Sequence, residues 1–70
     1  MERTGIFVGS FDPFTIGHDS VVKRAVKMFD KLVIGVGVNE SKRYMQTADE
    51  RVVAIRRLYK DDNRISVEKY

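Results

Sequence analysis

A chain of 70 residues with one proline, no cysteine and a net charge of +3 describes a single small unit whose core is marginal and has no disulfide to staple it. No apolar run reaches the length of a membrane span and Met1-Glu2-Arg3-Thr4 has no signal-peptide pattern, so a soluble cytoplasmic protein with no membrane partner is expected. Basic residues from Lys23 to Lys60 are interleaved with acids, as on solvated helix faces. A nucleic-acid binder would need a contiguous basic stripe or stacking aromatics, so no nucleic-acid partner is expected.

The first predicted element is a strand over residues 4 to 9, carried by Ile6-Phe7-Val8. It runs into Gly9-Ser10-Phe11-Asp12-Pro13-Phe14-Thr15-Ile16-Gly17-His18, a glycine-rich turn that feeds a helix. Exposed N–H groups and the positive end of a helix dipole meet there, which suits a phosphate. Gly9 and Gly17 permit positive φ or close backbone approach, Pro13 fixes its own φ, and Ser10 and Thr15 offer hydroxyls. The same residue types also serve an ordinary strand-to-helix connection, and His18 in a first helical turn also serves to bond a nearby carbonyl. The pattern is neither a Walker A loop nor G-x-G-x-x-G.

From about Gly17 to Phe29 the residues Val21, Val22, Ala25, Val26 and Phe29 recur at helical spacing. Leu32 to Val38 reads as a strand covered on both sides, with Gly35 and Gly37 pointing to close approach by a neighbouring helix or a ligand. Asn39 to Gln46 is a polar loop carrying Ser41-Lys42-Arg43, in which Arg43 reads as surface charge. Thr47 and Glu50 form a capping box that opens a second helix with the stripe Val52, Ile55, Leu58 and Tyr59, ending near Asp61-Asp62-Asn63. Arg64 to Tyr70 is a third strand, with Ile65 and Val67 alternating with polar neighbours.

The order βαβαβ implies an α/β chain with a parallel sheet and right-handed crossovers, the first half of a doubly wound, Rossmann-like fold. In such sheets ligands lie beyond the carboxyl ends of the strands, where strand order reverses. The loops over residues 9 to 17 and 39 to 46 both emerge at that edge, which lets Ser10, His18 and Lys42 converge. The reversal needs strands on the far side of the first one, and this chain has none. No His, Cys, Asp and Glu cluster has metal-site spacing, and Asp12 before Pro13 suits a turn role better than a contact with Mg²⁺.

Gly9-Ser10-Phe11-Asp12-Pro13 with Thr15-Ile16-Gly17-His18 resembles the signature of the bacterial phosphopantetheine adenylyltransferases, T-x-G-H members of the nucleotidyltransferase superfamily. Arg24-Ala25, Met28-Phe29-Asp30, Ser41-Lys42 and Glu50-Arg51 agree at the family's spacing. The resemblance implies that residues 1 to 70 are the N-terminal part of one nucleotidyltransferase domain whose C-terminal half is absent, and that the chain alone is inactive. For the complete protein it implies transfer of AMP from ATP to 4′-phosphopantetheine, giving dephospho-coenzyme A and pyrophosphate, with Mg²⁺ held mostly by ATP, in a homohexamer. By the same resemblance His18 is catalytic; Ser10, Phe11, Gly17 and His18 bind ATP; and Ser10 and Lys42 bind the substrate phosphate.

Ser10 stands where the family usually has threonine and keeps the hydroxyl. Val8, Ile16, Tyr44 and Gln46 depart from the common proline, asparagine, proline and phenylalanine and bear on the geometry of the substrate loop. Two other readings stay open. Another adenylyl- or cytidylyltransferase would share the first turn, although those more often carry histidine where Thr15 stands, and a non-catalytic phosphate-binding or assembly module would fit the half-length chain.

Overall fold

A computed structural model describes residues 2–38 and 46–70. Five elements follow in the expected order: β1 (Thr4–Gly9), α1 (Ile16–Met28), β2 (Lys31–Val36), α2 (Ala48–Leu58) and β3 (Ile65–Lys69). The strands form one parallel sheet in the order β1-β2-β3. Its register runs from Thr4 opposite Lys31 to Gly9 opposite Val36, and from Leu32 opposite Ile65 to Val36 opposite Lys69.

Alternation along the strands decides which residues reach the core. Leu32, Ile34 and Val36 of β2 and Val67 of β3 join Val22 of α1, Val52 and Ile55 of α2, and Phe11 in one buried cluster. Both helices therefore pack on the same face, as right-handed crossovers between successive neighbouring strands require. Each such aliphatic side chain taken out of water contributes about 1.5–3 kcal/mol.

The other face differs from expectation. Among the described residues nothing covers Ile6 and Val8, which are 72% and 52% exposed, and Val33 is only half-buried. β2 is thus covered on one side by helices and on the other only in part. Among the described residues Gly35 and Gly37 lie under the Tyr70 side chain rather than against a helix; a Cβ on Gly35 would sit 3.1 Å from the Tyr70 ring and 3.0 Å from Val8.

Capping residues fix where the helices begin. At α2 the Thr47 hydroxyl accepts from Glu50 N–H at 3.1 Å and the Glu50 carboxylate accepts from Thr47 N–H at 3.4 Å, the expected box. The inward stripe of α2 is shifted from the expected one: Arg51 is buried beside Val52 and Ile55, whereas Leu58 is 62% exposed. The chain then turns at Asp62, whose carboxylate accepts from the Arg64 backbone at 3.0 Å and from its guanidinium at 2.9 and 2.8 Å. That guanidinium holds the Asp62 carboxyl down at about 2.

Candidate active site

The connection from β1 to α1 is built around Phe11. Of the two roles open to Gly9 and Gly17, positive φ or close approach, the first is taken by no glycine among the described residues but by Phe11, at φ 51°. A left-handed conformation at a residue with a Cβ costs roughly 1–2 kcal/mol. Burial of the ring offsets it: Phe11 is 3% exposed, and its ring stands edge-on to Phe7 at 5.1 Å and tilted to Phe14 at 5.3 Å. Gly9 makes room for that ring, since a Cβ there would lie 3.0 Å from it.

His18 stands edge-on to the Phe11 ring at 5.0 Å, with Phe14 at 5.3 Å and Phe7 at 6.3 Å. It is the third residue of α1, and Thr15 is the N-cap. The Thr15 hydroxyl accepts from His18 N–H at 3.4 Å, and Thr15 N–H donates to Nδ1 of His18 at 2.9 Å. This is a second capping box, with an imidazole where α2 uses a carboxylate. The alternative expectation, a histidine bonded to a nearby carbonyl, is replaced by a histidine that accepts from the main chain.

Arg51 ties the carboxyl edge of the sheet together from beneath. It is 1% exposed; one terminal nitrogen donates to the carbonyls of Ser10 and Gly37, the latter at 3.2 Å, and Nε donates to those of Gln46 and Thr47, both at 3.3 Å. The ends of β1 and β2 and the start of α2 thereby meet on one guanidinium. Asp12 adds a second tie, since Oδ1 accepts from Gln46 N–H at 3.2 Å. Asp12 lies in the turn after β1, as expected, and this partner lies 34 positions along the chain. Among the described residues no group of three or more His, Cys, Asp and Glu could hold a metal ion.

Of the residues singled out by sequence, Ser10, Phe11, Gly17 and His18 fall in this one connection. Ser10 and Gly17 are exposed, His18 is half-buried and Phe11 is interior. Lys42, with Ser41, Arg43 and Tyr44, lies outside the described residues. Three contributors escaped the sequence reading: Thr15 as cap to the histidine, Phe14 beside the imidazole, and Arg51. The spacing Thr15-x-x-His18 repeats that of Thr47-x-x-Glu50 and was the available signal for the first of these.

Behind the turn a groove of about 620 Å³ separates α1 from the end of α2, lined among others by Phe14, Asp19, Val22, Leu58 and Tyr59. The Tyr59 hydroxyl donates to Asp19 Oδ1 across it, and Lys23 pairs with the other carboxylate oxygen at 3.1 Å. The hydroxyl first, then Lys23, hold the Asp19 carboxyl below its ordinary range; burial and then the carboxylate push the Tyr59 phenol up.

The model of the cytidylyltransferase-like family matches residues 6–70. The chain belongs to that family. Among curated relatives, this cytidylyltransferase-like chain is 53% identical over 68 residues to phosphopantetheine adenylyltransferase of Bacteroides fragilis and 52% identical to that of Phocaeicola vulgatus, covering 97% of the chain in each case. It spans 45% of the length of both. Solved structures of the same fold include a NadR protein in complex with NAD and AMP-PNP, with a TM-score of 0.88 at 22% identity over 99% of this chain and 20% of that one. A bifunctional NMN adenylyltransferase/ADP ribose pyrophosphatase from Francisella tularensis, complexed with AMP and a manganese ion, matches with a TM-score of 0.80 at 20% identity, over 99% of this chain and 22% of that one. The cytidylyltransferase-like fold is therefore present here as its βαβαβ portion.

Proposed function

We propose that the complete protein carrying these residues transfers AMP from ATP to 4′-phosphopantetheine, giving dephospho-coenzyme A and pyrophosphate. The observation that carries this reading is His18, held by a cap in the first turn of α1 beyond the carboxyl end of β1, in a chain about half identical to proteins named phosphopantetheine adenylyltransferase.

The chemistry suits such a site. A phosphomonoester has a second pKa of about 6, so the attacking oxygen is largely ionised at neutral pH and needs no general base. It forms a bond to the α-phosphorus of ATP while the bond from that phosphorus to the bridging oxygen breaks, and pyrophosphate carries the electron pair away. The protein's task is to hold two anions in line and to stabilise charge on the α-phosphate. His18 donates to that phosphate, with the N–H groups of the α1 N-terminus beside it. Gly17 fits close approach of the nucleotide: beyond its own helix backbone, a Cβ there would meet among the described residues nothing nearer than the Thr15 hydroxyl at 3.6 Å, so packing among them does not demand glycine. Ser10 contributes its hydroxyl to both phosphates, Phe11 meets ATP through its main chain because its ring is buried, and Lys42 supplies a point charge to the substrate phosphate. Mg²⁺ belongs to the same proposal as a counterion carried by ATP, with no ligand assigned here. A cytoplasmic homohexamer belongs to it by family likeness.

A substrate panel tests the assignment. The complete protein, given ATP or CTP with 4′-phosphopantetheine, nicotinamide mononucleotide or a simple phosphomonoester, is expected to release pyrophosphate only with ATP and 4′-phosphopantetheine. Turnover with another pair would move it to a different branch of the family, and binding without turnover would make it a phosphate-binding module. Residues 1 to 70 alone are expected to show no transfer.

A further inference from the structure

We infer that Thr15 is the positioning residue that sets which nitrogen of His18 carries the proton. This rests on the proposed role of His18 as a phosphate donor and adds how that role is prepared before any substrate arrives.

The geometry is local and complete. Thr15 N–H lies 2.9 Å from Nδ1 of His18, and the Thr15 hydroxyl lies 3.0 Å from the same atom. A main-chain N–H can only donate, so Nδ1 is an acceptor and the proton of the neutral ring is on Nε2. The hydroxyl accepts from His18 N–H, which leaves its own hydrogen available to Nδ1. A proton on Nδ1 would point at the Thr15 N–H. The cap therefore excludes that tautomer and presents Nε2–H, the donor that a developing oxyanion requires. Phe11 and Phe14 restrict the ring's rotation, so orientation and tautomer are fixed together. At Thr47 and Glu50 the same box only starts a helix; with an imidazole as the third helical residue it also produces a donor aimed by the cap.

The chain contains one histidine, so its imidazole nitrogens are assigned without ambiguity in a ¹⁵N-labelled sample. In the 70-residue chain at a pH where the ring is neutral, a scalar coupling across the hydrogen bond is expected between the Thr15 amide nitrogen and Nδ1, with Nε2 as the protonated nitrogen. Thr15→Asn and Thr15→Asp are comparable N-caps and both keep the main-chain N–H that donates to Nδ1, so both are expected to keep Nε2 as the protonated nitrogen. Absence of the coupling in the wild-type chain, or a protonated Nδ1 in any of the three chains, would overturn the inference. The readout needs no substrate: a missing coupling in a protein that still transfers AMP removes this inference alone, and an inert complete protein with the coupling intact removes the functional reading alone.

Discussion

At the scale of single residues, charge and hydrogen bonding around Asp19 give a direct test of the packing between α1 and α2. The folded carboxyl of Asp19 titrates below its ordinary value of 3.8, chiefly because Tyr59 donates to it. Stability from this link is therefore present above pH 3.8 and is lost as pH falls through the lowered value. Tyr59 shifts the other way: its contribution is fully present below pH 10.0 and is lost as pH rises above that. Tyr59→Phe is expected to raise the Asp19 midpoint in a carbon-detected carboxyl titration, with Lys23 keeping it from returning all the way. An unchanged midpoint would mean that the hydroxyl and the carboxylate do not meet in solution.

At the scale of elements, the two capping boxes and the Arg51 tie carry separable amounts of stability. Thr47→Ala removes the acceptor for Glu50 N–H and is expected to cost about 1 kcal/mol, which for a domain of this size lowers the melting temperature by about 4–8 °C. Arg51→Met keeps much of the volume but strands the carbonyls of Ser10 and Gly37, at about 1–3 kcal/mol for each that stays buried. A chain this small has little to spare, so its urea midpoint should collapse, and a near-normal midpoint would show that water replaces the guanidinium easily. The element order and the box at Thr47 were legible in the sequence because both depend on local spacing: apolar residues at helical or strand period, and a threonine three positions before a glutamate. The inward position of Arg51 was half-legible, since residues 51, 52 and 55 share a helix face, but a charged side chain is ordinarily assigned to solvent. Leu58 keeps the apolar spacing yet lies at the end of α2, where the groove toward α1 begins. The positive φ of Phe11 had no local signal at all, because glycine is the usual carrier and only the tertiary burial of the ring compensates for it.

At the scale of the whole molecule, one sheet face and the outer edge of β1 are uncovered among the described residues, with Ile6, Val8 and Tyr70 exposed there. Exposed apolar surface beside an unpaired strand edge favours association. The chain is expected to sediment faster as its concentration rises, and Ile6→Thr with Val8→Thr to weaken this while leaving helical content unchanged; concentration-independent sedimentation of the parent chain would contradict it. The chain spans less than half the length of the curated relatives it matches. The convergence of His18 with Lys42 stays an expectation from topology, because Lys42 lies outside the described residues.

His18 as donor to the α-phosphate is the claim on which the proposed chemistry depends, and single-turnover AMP transfer by the complete protein carrying His18→Ala measures it most directly. Turnover should fall roughly 100- to 1,000-fold while affinity for ATP changes little, the loss typical of one preorganised donor at a developing oxyanion. Transfer at the wild-type rate would contradict it and leave the histidine as a helix cap.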